Sequence, residues 1–358
     1  MVKVAVNLPA KQYDVQIENG LLATIGELVQ RVWQSRQVAL ISDTNVAPLY
    51  QAKVSQQLSE QGFQIHEYVV PAGEVSKAWP VAADLATKMA ADHFTRSDGV
   101  IALGGGVVGD LAGFVASTYM RGISFIQIPT SLLAQVDSSV GGKTAIDLGE
   151  AKNIIGTFYQ PDAVFIDPET LATLSDRYVA EGYAEIVKTA ALDSTDFWAL
   201  IEQINSVDDI RRYATQLSQR SVGYKARIVM GDEKEAGQRQ LLNFGHTMGH
   251  AIELLAHGKL AHGEAVSIGM VHLMKVFEDL QLTQPGLTDQ IANRLQAVGL
   301  PLDSKLLGTA EFYEKIKNDK KNKHGKLNLV YLKKIGQPEI YSIPTDQVKS
   351  FFNEEVTF

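Results

Sequence analysis

The apolar run GVIAL (99 to 103) passes without interruption into Gly104-Gly105-Gly106-Val107-Val108-Gly109-Asp110, and the helical pattern LAGFVASTYM follows at once. A strand that ends in glycines and opens a helix is the building unit of an α/β sheet, so this segment restricts the fold more than any other. Similar short apolar runs recur at VALIS (38 to 42), IHEYVV (65 to 70), SFIQIP (124 to 129) and AVFID (163 to 167), with helical patterns between several of them. Nearly continuous apolar strands of this kind predict a Rossmann-like, mostly parallel sheet covered on both faces. The opening VKVAVNL and YDVQIENG read as an additional hairpin.

From about residue 176 the texture changes. Segments such as YAEIVKTAALDSTDFWALIEQI and GEAVSIGMVHLMKVFEDL space their apolar residues by three and four, which predicts a mainly α-helical second half with LNLVYL (327 to 332) as a small strand. A chain of 358 residues exceeds what one core usually organises. We therefore expect an α/β domain over 1–175 and a helical domain over 176–358.

With no cysteine, thiolate chemistry is excluded, and any metal must be held by His, Asp or Glu. A net charge of -8 argues against nonspecific nucleic-acid binding. No apolar run is long enough to span a membrane and the start lacks a secretory pattern, so the expected location is the cytoplasm.

Glycines between a strand and a helix let backbone N–H groups approach a pyrophosphate at the positive end of the helix. Yet the next strand closes as IQIPTS without the acidic residue of the usual dinucleotide fingerprint, so phosphate binding and a tight structural turn both stand. Further on, His246 and His250 in NFGHTMGH lie one helical turn apart, His262 opens the following helical pattern, and Glu185 and Lys188 share a helix face upstream. Two imidazoles and one carboxylate leave open positions on a zinc-type ion. Spacing nominates His246 and His250 but does not decide which two of the three histidines bind. Lys143, Lys152, Lys225 and Arg239 sit beside these motifs and suit phosphate or carboxylate, whereas KIKNDKKNKHGK (315 to 326) reads as a charged loop.

The phrases GGGVVGDLAGF, ASTYMRGI, IPTSLLAQVDSSVGGKTAID, AKNIIGTFYQP, GYAEIVKTA, RQLLNFGHTMGHAIE and HGEAVSIGM together resemble the 3-dehydroquinate synthase family over roughly residues 73 to 325. The resemblance implies a metal, zinc or alternatively cobalt, on Glu185, His246 and His262, with His250 facing substrate. It implies NAD at Asp43, Asn45, Gly73, Glu74, Lys77, Gly105, Gly106, Val107, Val108, Gly109, Asp110, Thr130, Ser131, Lys143, Lys152, Thr170, Thr173 and Leu174. Family members often carry Thr where Ser131 stands, which keeps the hydroxyl. Substrate is implied at Asp137, Lys143, Lys152, Asn153, Lys188, Lys225, Arg239, Asn243, His250 and either Lys320 or Lys321. Arg121 is implied to reach the neighbouring subunit's site, hence a homodimer. The implied reaction is a phosphate lyase that turns a sugar-acid phosphate, 3-deoxy-D-arabino-heptulosonate 7-phosphate, into 3-dehydroquinate. A metal-dependent polyol dehydrogenase, another sugar phosphate cyclase and a nucleotide-binding scaffold without chemistry are the competing readings.

Overall fold

The computed structural model describes residues 1–149, 151–317 and 325–353. Nine strands precede residue 170: β1 (Val2–Asn7), β2 (Gln12–Ile17), β3 (Gln37–Asp43), β4 (Gln64–Val70), β5 (Gly99–Gly104), β6 (Ser124–Pro129), β7 (Lys143–Leu148), β8 (Ala151–Phe158) and β9 (Ala163–Ile166). Seven of them form one sheet in the order β1-β2-β9-β6-β5-β3-β4. All neighbours in it are parallel except β1 and β2, the expected hairpin.

Central strand β5 shows why the pattern is continuous rather than alternating. Val100 and Ala102 join one core with Leu85 and Met89 of the helix Trp79–Ala91 and Leu111 and Val115 of the helix Gly106–Thr118. Ile101 and Leu103 join another with Leu28, Val29 and Leu58 on the opposite face. Both faces are covered, so every position is apolar.

The chain divides into two compact units, Met1–Ser175 with Ala214–Lys234, and Asp176–Tyr213 with Glu235–Phe358. Residues 214–234 thus group with the α/β unit, not with the helical half in which the sequence pattern places them. The reason is packing: Val222, Ala226 and Val229, on the helix Val207–Gly231, bury against Val6, Val15, Ile17, Val164 and Ile166. Periodicity alone does not reveal which core a helix face joins.

The second unit is mainly helical and carries Asp176–Asp193, His246–Leu255 and His262–Asp279, with the antiparallel pair β10 (Lys326–Lys334) and β11 (Gln337–Pro344). The expected strand at 327 to 332 lies within β10. Among the described residues no helix is long and apolar enough to cross a membrane.

Candidate functional site

In the first unit, the residues expected around NAD follow the carboxyl ends of five mutually parallel strands. Asp43 and Asn45 end β3, Gly73 to Lys77 follow β4, Gly105 to Asp110 follow β5, Thr130 and Ser131 follow β6, and Thr170, Thr173 and Leu174 follow β9. Ligands of open α/β sheets bind at this edge. Several of these side chains also build their own loops. Asp43 accepts from Asn45 N at 2.8 Å and Val46 N at 3.0 Å, Thr170 Oγ1 accepts from Gln135 Nε2 at 2.9 Å, and Thr173 Oγ1 lies 2.6 Å from the Tyr50 hydroxyl.

Gly105 is the extended residue before the helix Gly106–Thr118, and no side chain caps that end. A Cβ at Gly105 would approach Ser131 Oγ to 3.2 Å, and one at Gly106 would meet Ser138 Oγ at 3.0 Å. At Gly104 and Gly109 it would collide with Val108 and Gln127 at 2.7 and 2.8 Å. The glycines therefore serve a tight turn and at the same time keep a bare backbone cradle that fits a dinucleotide phosphate.

Beside the cradle stands a polar network that periodicity does not announce. The hairpin of β7 and β8 carries Lys143, exposed at its start, and Lys152 and Asn153 near its turn. Lys77, with its side chain 5% exposed, donates to Asn153 Oδ1 at 2.5 Å and pairs with Asp110 at 2.9 Å and Glu74 at 3.4 Å. Burial works against the Lys77 ammonium, but Asp110 and Glu74 outweigh it and hold its pKa above the ordinary range. Asn153 takes a left-handed backbone, φ 54°, fixed by its N–H to Asp147 Oδ1 at 2.7 Å. Lys225 reaches Asp137, both at its carboxylate and at its carbonyl oxygen, at 2.8 Å. Arg121 is exposed, with φ 71° between Met120 at 48° and Gly122 at 112°.

In the second unit the structure brings Glu185, His246 and His262 together, one ligand atom from each lying within 4.8 Å of the others. Both histidines occupy the first residue of a helix, and glycines let those helices meet. A Cβ at Gly269 would fall 2.2 Å from Gly245 O, one at Gly249 3.0 Å from Val266 Cα, and one at Gly263 2.0 Å from Glu181 O. Glu185 Oε1 faces Nε2 of His246 and of His262 at 3.5 and 3.6 Å. Two ligands on a tetrahedral ion with bonds of about 2.0–2.1 Å stand roughly 3.4 Å apart, so these gaps match atoms sharing a cation. Among the described residues neither Glu185 oxygen receives a hydrogen bond of ordinary geometry, although the Lys188 ammonium pairs with the carboxylate.

The rings are oriented from behind. His246 Nδ1 lies 3.0 Å from Phe244 O and His262 Nδ1 lies 2.9 Å from Glu253 Oε2. Both partners only accept, so each Nδ1 carries the proton. Burial works against charge on either partner of the Glu185–His262 pair, yet Lys188 and His262 together hold the Glu185 carboxyl at about 2, while Glu185 and Glu253 push His262 up to about 10. The donor set, one carboxylate and two imidazoles, fits a divalent cation. His250, one turn on from His246, stays outside the ligand group, its ring 5.3 Å from that of His246 and 5.8 Å from that of His262. Arg239 is buried, and Asn243 donates to Glu235 Oε1 at 2.8 Å. Lys320 and Lys321 lie outside the described residues.

Known proteins match this chain along nearly its whole length. The family models described as "3-dehydroquinate synthase N-terminal" and "3-dehydroquinate synthase C-terminal" match residues 67–181 and 182–322. The 3-dehydroquinate synthase of Leuconostoc mesenteroides subsp. mesenteroides is 58% identical over 340 residues, 95% of this chain and 96% of that protein. The chain belongs to the 3-dehydroquinate synthase family. The family's Latilactobacillus sakei enzyme is 55% identical, with 97% of both chains covered. Among solved structures, 2-epi-5-epi-valiolone synthase from Streptomyces hygroscopicus, with NAD+ and Zn2+ bound, superposes with a TM-score of 0.87 at 25% identity, covering 96% of this chain and 97% of that one. A 2-deoxy-scyllo-inosose synthase complexed with carbaglucose-6-phosphate, NAD+ and Co2+ shares the fold, with a TM-score of 0.88 at 23% identity over 99% and 100%.

Sequence reasoning missed Glu253, Asp147 and Glu235. Glu253 stood within the family phrase ending GHAIE, seven residues beyond His246 and so on a nearby helix face; that spacing was its only signal.

Proposed function

We propose that this protein converts 3-deoxy-D-arabino-heptulosonate 7-phosphate to 3-dehydroquinate and phosphate, in the cytoplasm, by transient oxidation at C5, β-elimination of phosphate, re-reduction, ring opening and intramolecular aldol closure. The observation that carries the reading is the Glu185–His246–His262 group, in a chain whose homologues along nearly its full length are 3-dehydroquinate synthases. When bound, NAD at the glycine cradle supplies reversible hydride acceptance, and zinc or cobalt on Glu185, His246 and His262 supplies Lewis-acid polarisation of the C5 hydroxyl.

The chain's own residues supply position and charge. Lys188 compensates Glu185 and offers a cation to substrate. Lys152 and Asn153, set by Lys77, Glu74 and Asp147, bind phosphate oxygens with Lys143. Lys225 and Arg239 recognise the carboxylate, the feature that separates an acid substrate from a neutral sugar phosphate. Asp137 orients Lys225, and Asn243 is held by Glu235. His250 moves a proton at the C5 oxygen, since an imidazole can both donate and accept one. The phosphate leaving from C7 itself takes the C6 proton, and fixed cations stabilise the charge that develops. Arg121 serves the phosphate site of a second copy, so the working form is a homodimer; its exposure leaves the side chain accessible for that role.

A substrate panel with free-phosphate readout tests the proposal. The heptulosonate phosphate should turn over with phosphate release, while glucose 6-phosphate and glycerol should not; turnover of either in its place would overturn the assignment.

A further inference from the structure

Glu253 has no part in the chemistry described above, yet it touches a residue that does. Its Oε2 lies 2.9 Å from His262 Nδ1, with side chains 13% and 26% exposed respectively. A carboxylate can only accept this bond, so the Nδ1 position of His262 is protonated and its Nε2 is the atom left to face Glu185 Oε1 at 3.6 Å. We propose that Glu253 is a positioning residue of the metal centre, fixing the tautomer and the rotation of the His262 ring so that Nε2 is presented to the cation.

The inference rests on reading Glu185, His246 and His262 as the ligands, and it is sharpened by what else holds His262. Its backbone is secured by other groups. Arg177 grips Glu264 through two bonds of 2.7 and 2.8 Å and also donates to Lys259 O at 3.0 Å. The Glu264 carboxylate in turn accepts from Ala261 N at 2.8 Å. Glu181 accepts from the Gly263 backbone. The helix that begins at His262 is therefore anchored without Glu253, and the freedom left to the side chain is rotation of its ring. Among the described residues, Glu253 holds the ring from behind at Nδ1, while Glu185 faces it at Nε2.

The two ligand histidines are also unequal. His246 leans on a neutral carbonyl, that of Phe244, whereas His262 leans on a carboxylate. A charged acceptor behind the ring increases the donor strength of Nε2, so His262 is the stronger imidazole ligand of the pair, and loss of Glu253 weakens the site through both orientation and charge.

The test uses metal-free full-length protein titrated with Co2+ against a competing chelator, for the parent, Glu253→Gln and Glu253→Ala, with the visible absorption of the cobalt recorded. We expect about 10- to 100-fold weaker cobalt binding and a shifted visible band for Glu253→Ala. Glu253→Gln, whose side-chain carbonyl still accepts the Nδ1–H bond, should lose less and keep a band closer to the parent's. Parent affinity and an unchanged band in both variants would overturn the proposal, as would equal losses in both, which would make charge alone the cause. Glu185→Gln in the same titration separates the two readings: if it keeps full cobalt binding, the ligand assignment itself fails. If it loses cobalt while both Glu253 variants bind as the parent does, only the positioning role fails.

Discussion

Glu185 and Lys188 form an ion pair one helical turn apart with side chains only 1% and 2% exposed. Breaking a buried pair by deleting one member costs roughly 3–5 kcal/mol, because the other charge is left uncompensated. Lys188→Met should lower the stability of the metal-free protein by less than that amount, because the His262 imidazolium still faces Glu185. Zinc should then raise the Tm of the variant more than that of the parent, since the cation takes over the compensation. Equal zinc-induced shifts in thermal melts would count against a shared site.

Metal loading should release a proton. Without metal, His262 is pushed up to about 10 and Glu185 held at about 2, so at neutral pH the cluster contains an imidazolium beside a carboxylate. The cation must displace the Nε2 proton, and binding should strengthen about tenfold per pH unit across the neutral range. The sign for stability is opposite. A raised histidine pKa stabilises the metal-free fold fully below its ordinary value of 6.5, and the contribution is lost as pH rises through about 10. Calorimetry in two buffers of different protonation enthalpy measures the proton count; zinc affinity independent of pH would refute this account.

Two glycines should respond with opposite signs. A Cβ at Gly263 would lie 2.0 Å from the backbone oxygen of Glu181, so Gly263→Ala should destabilise by about 3 kcal/mol and disturb the adjacent His262. At Gly223, inside the helix Val207–Gly231, a Cβ meets nothing within 4 Å, and Gly223→Ala should stabilise by up to about 1 kcal/mol. Urea denaturation of both variants checks the pair of signs.

In the first unit, Lys77→Met removes the cation shared by Asp110, Glu74 and Asn153. NAD affinity, followed by fluorescence or calorimetry, should fall about tenfold or more, the equivalent of ~1.4 kcal/mol. Bound zinc should remain near one per chain, because the ligands belong to the other unit. Zinc loss in parallel with NAD would contradict this division of labour.

Much of this was readable from the sequence, for physical reasons. A strand buried on both faces, such as β5, must be apolar throughout, and a glycine turn between strand and helix has few other uses. Paired histidines one turn apart show a shared helix face. What stayed hidden depends on tertiary contact. The hairpin of β7 and β8 gives no strand signal in the sequence because its second strand is largely exposed, and its alternation is interrupted by Lys152, Asn153 and Gly156. Helical period does not name a packing partner, so it does not show that residues 214–234 group with the first unit. Spacing nominates His250 as the partner of His246; the close approach of helices at Gly249 and Gly269, and of Gly263 to Glu181, instead brings His246 and His262 to Glu185.

The most direct test mixes protein, NAD, zinc and the heptulosonate phosphate, and follows free phosphate and NADH absorbance in the same cuvette. Many phosphates should be released per chain with no net NADH, since the hydride taken from C5 returns to it. NADH accumulating in step with product, or product formed without phosphate, would contradict it.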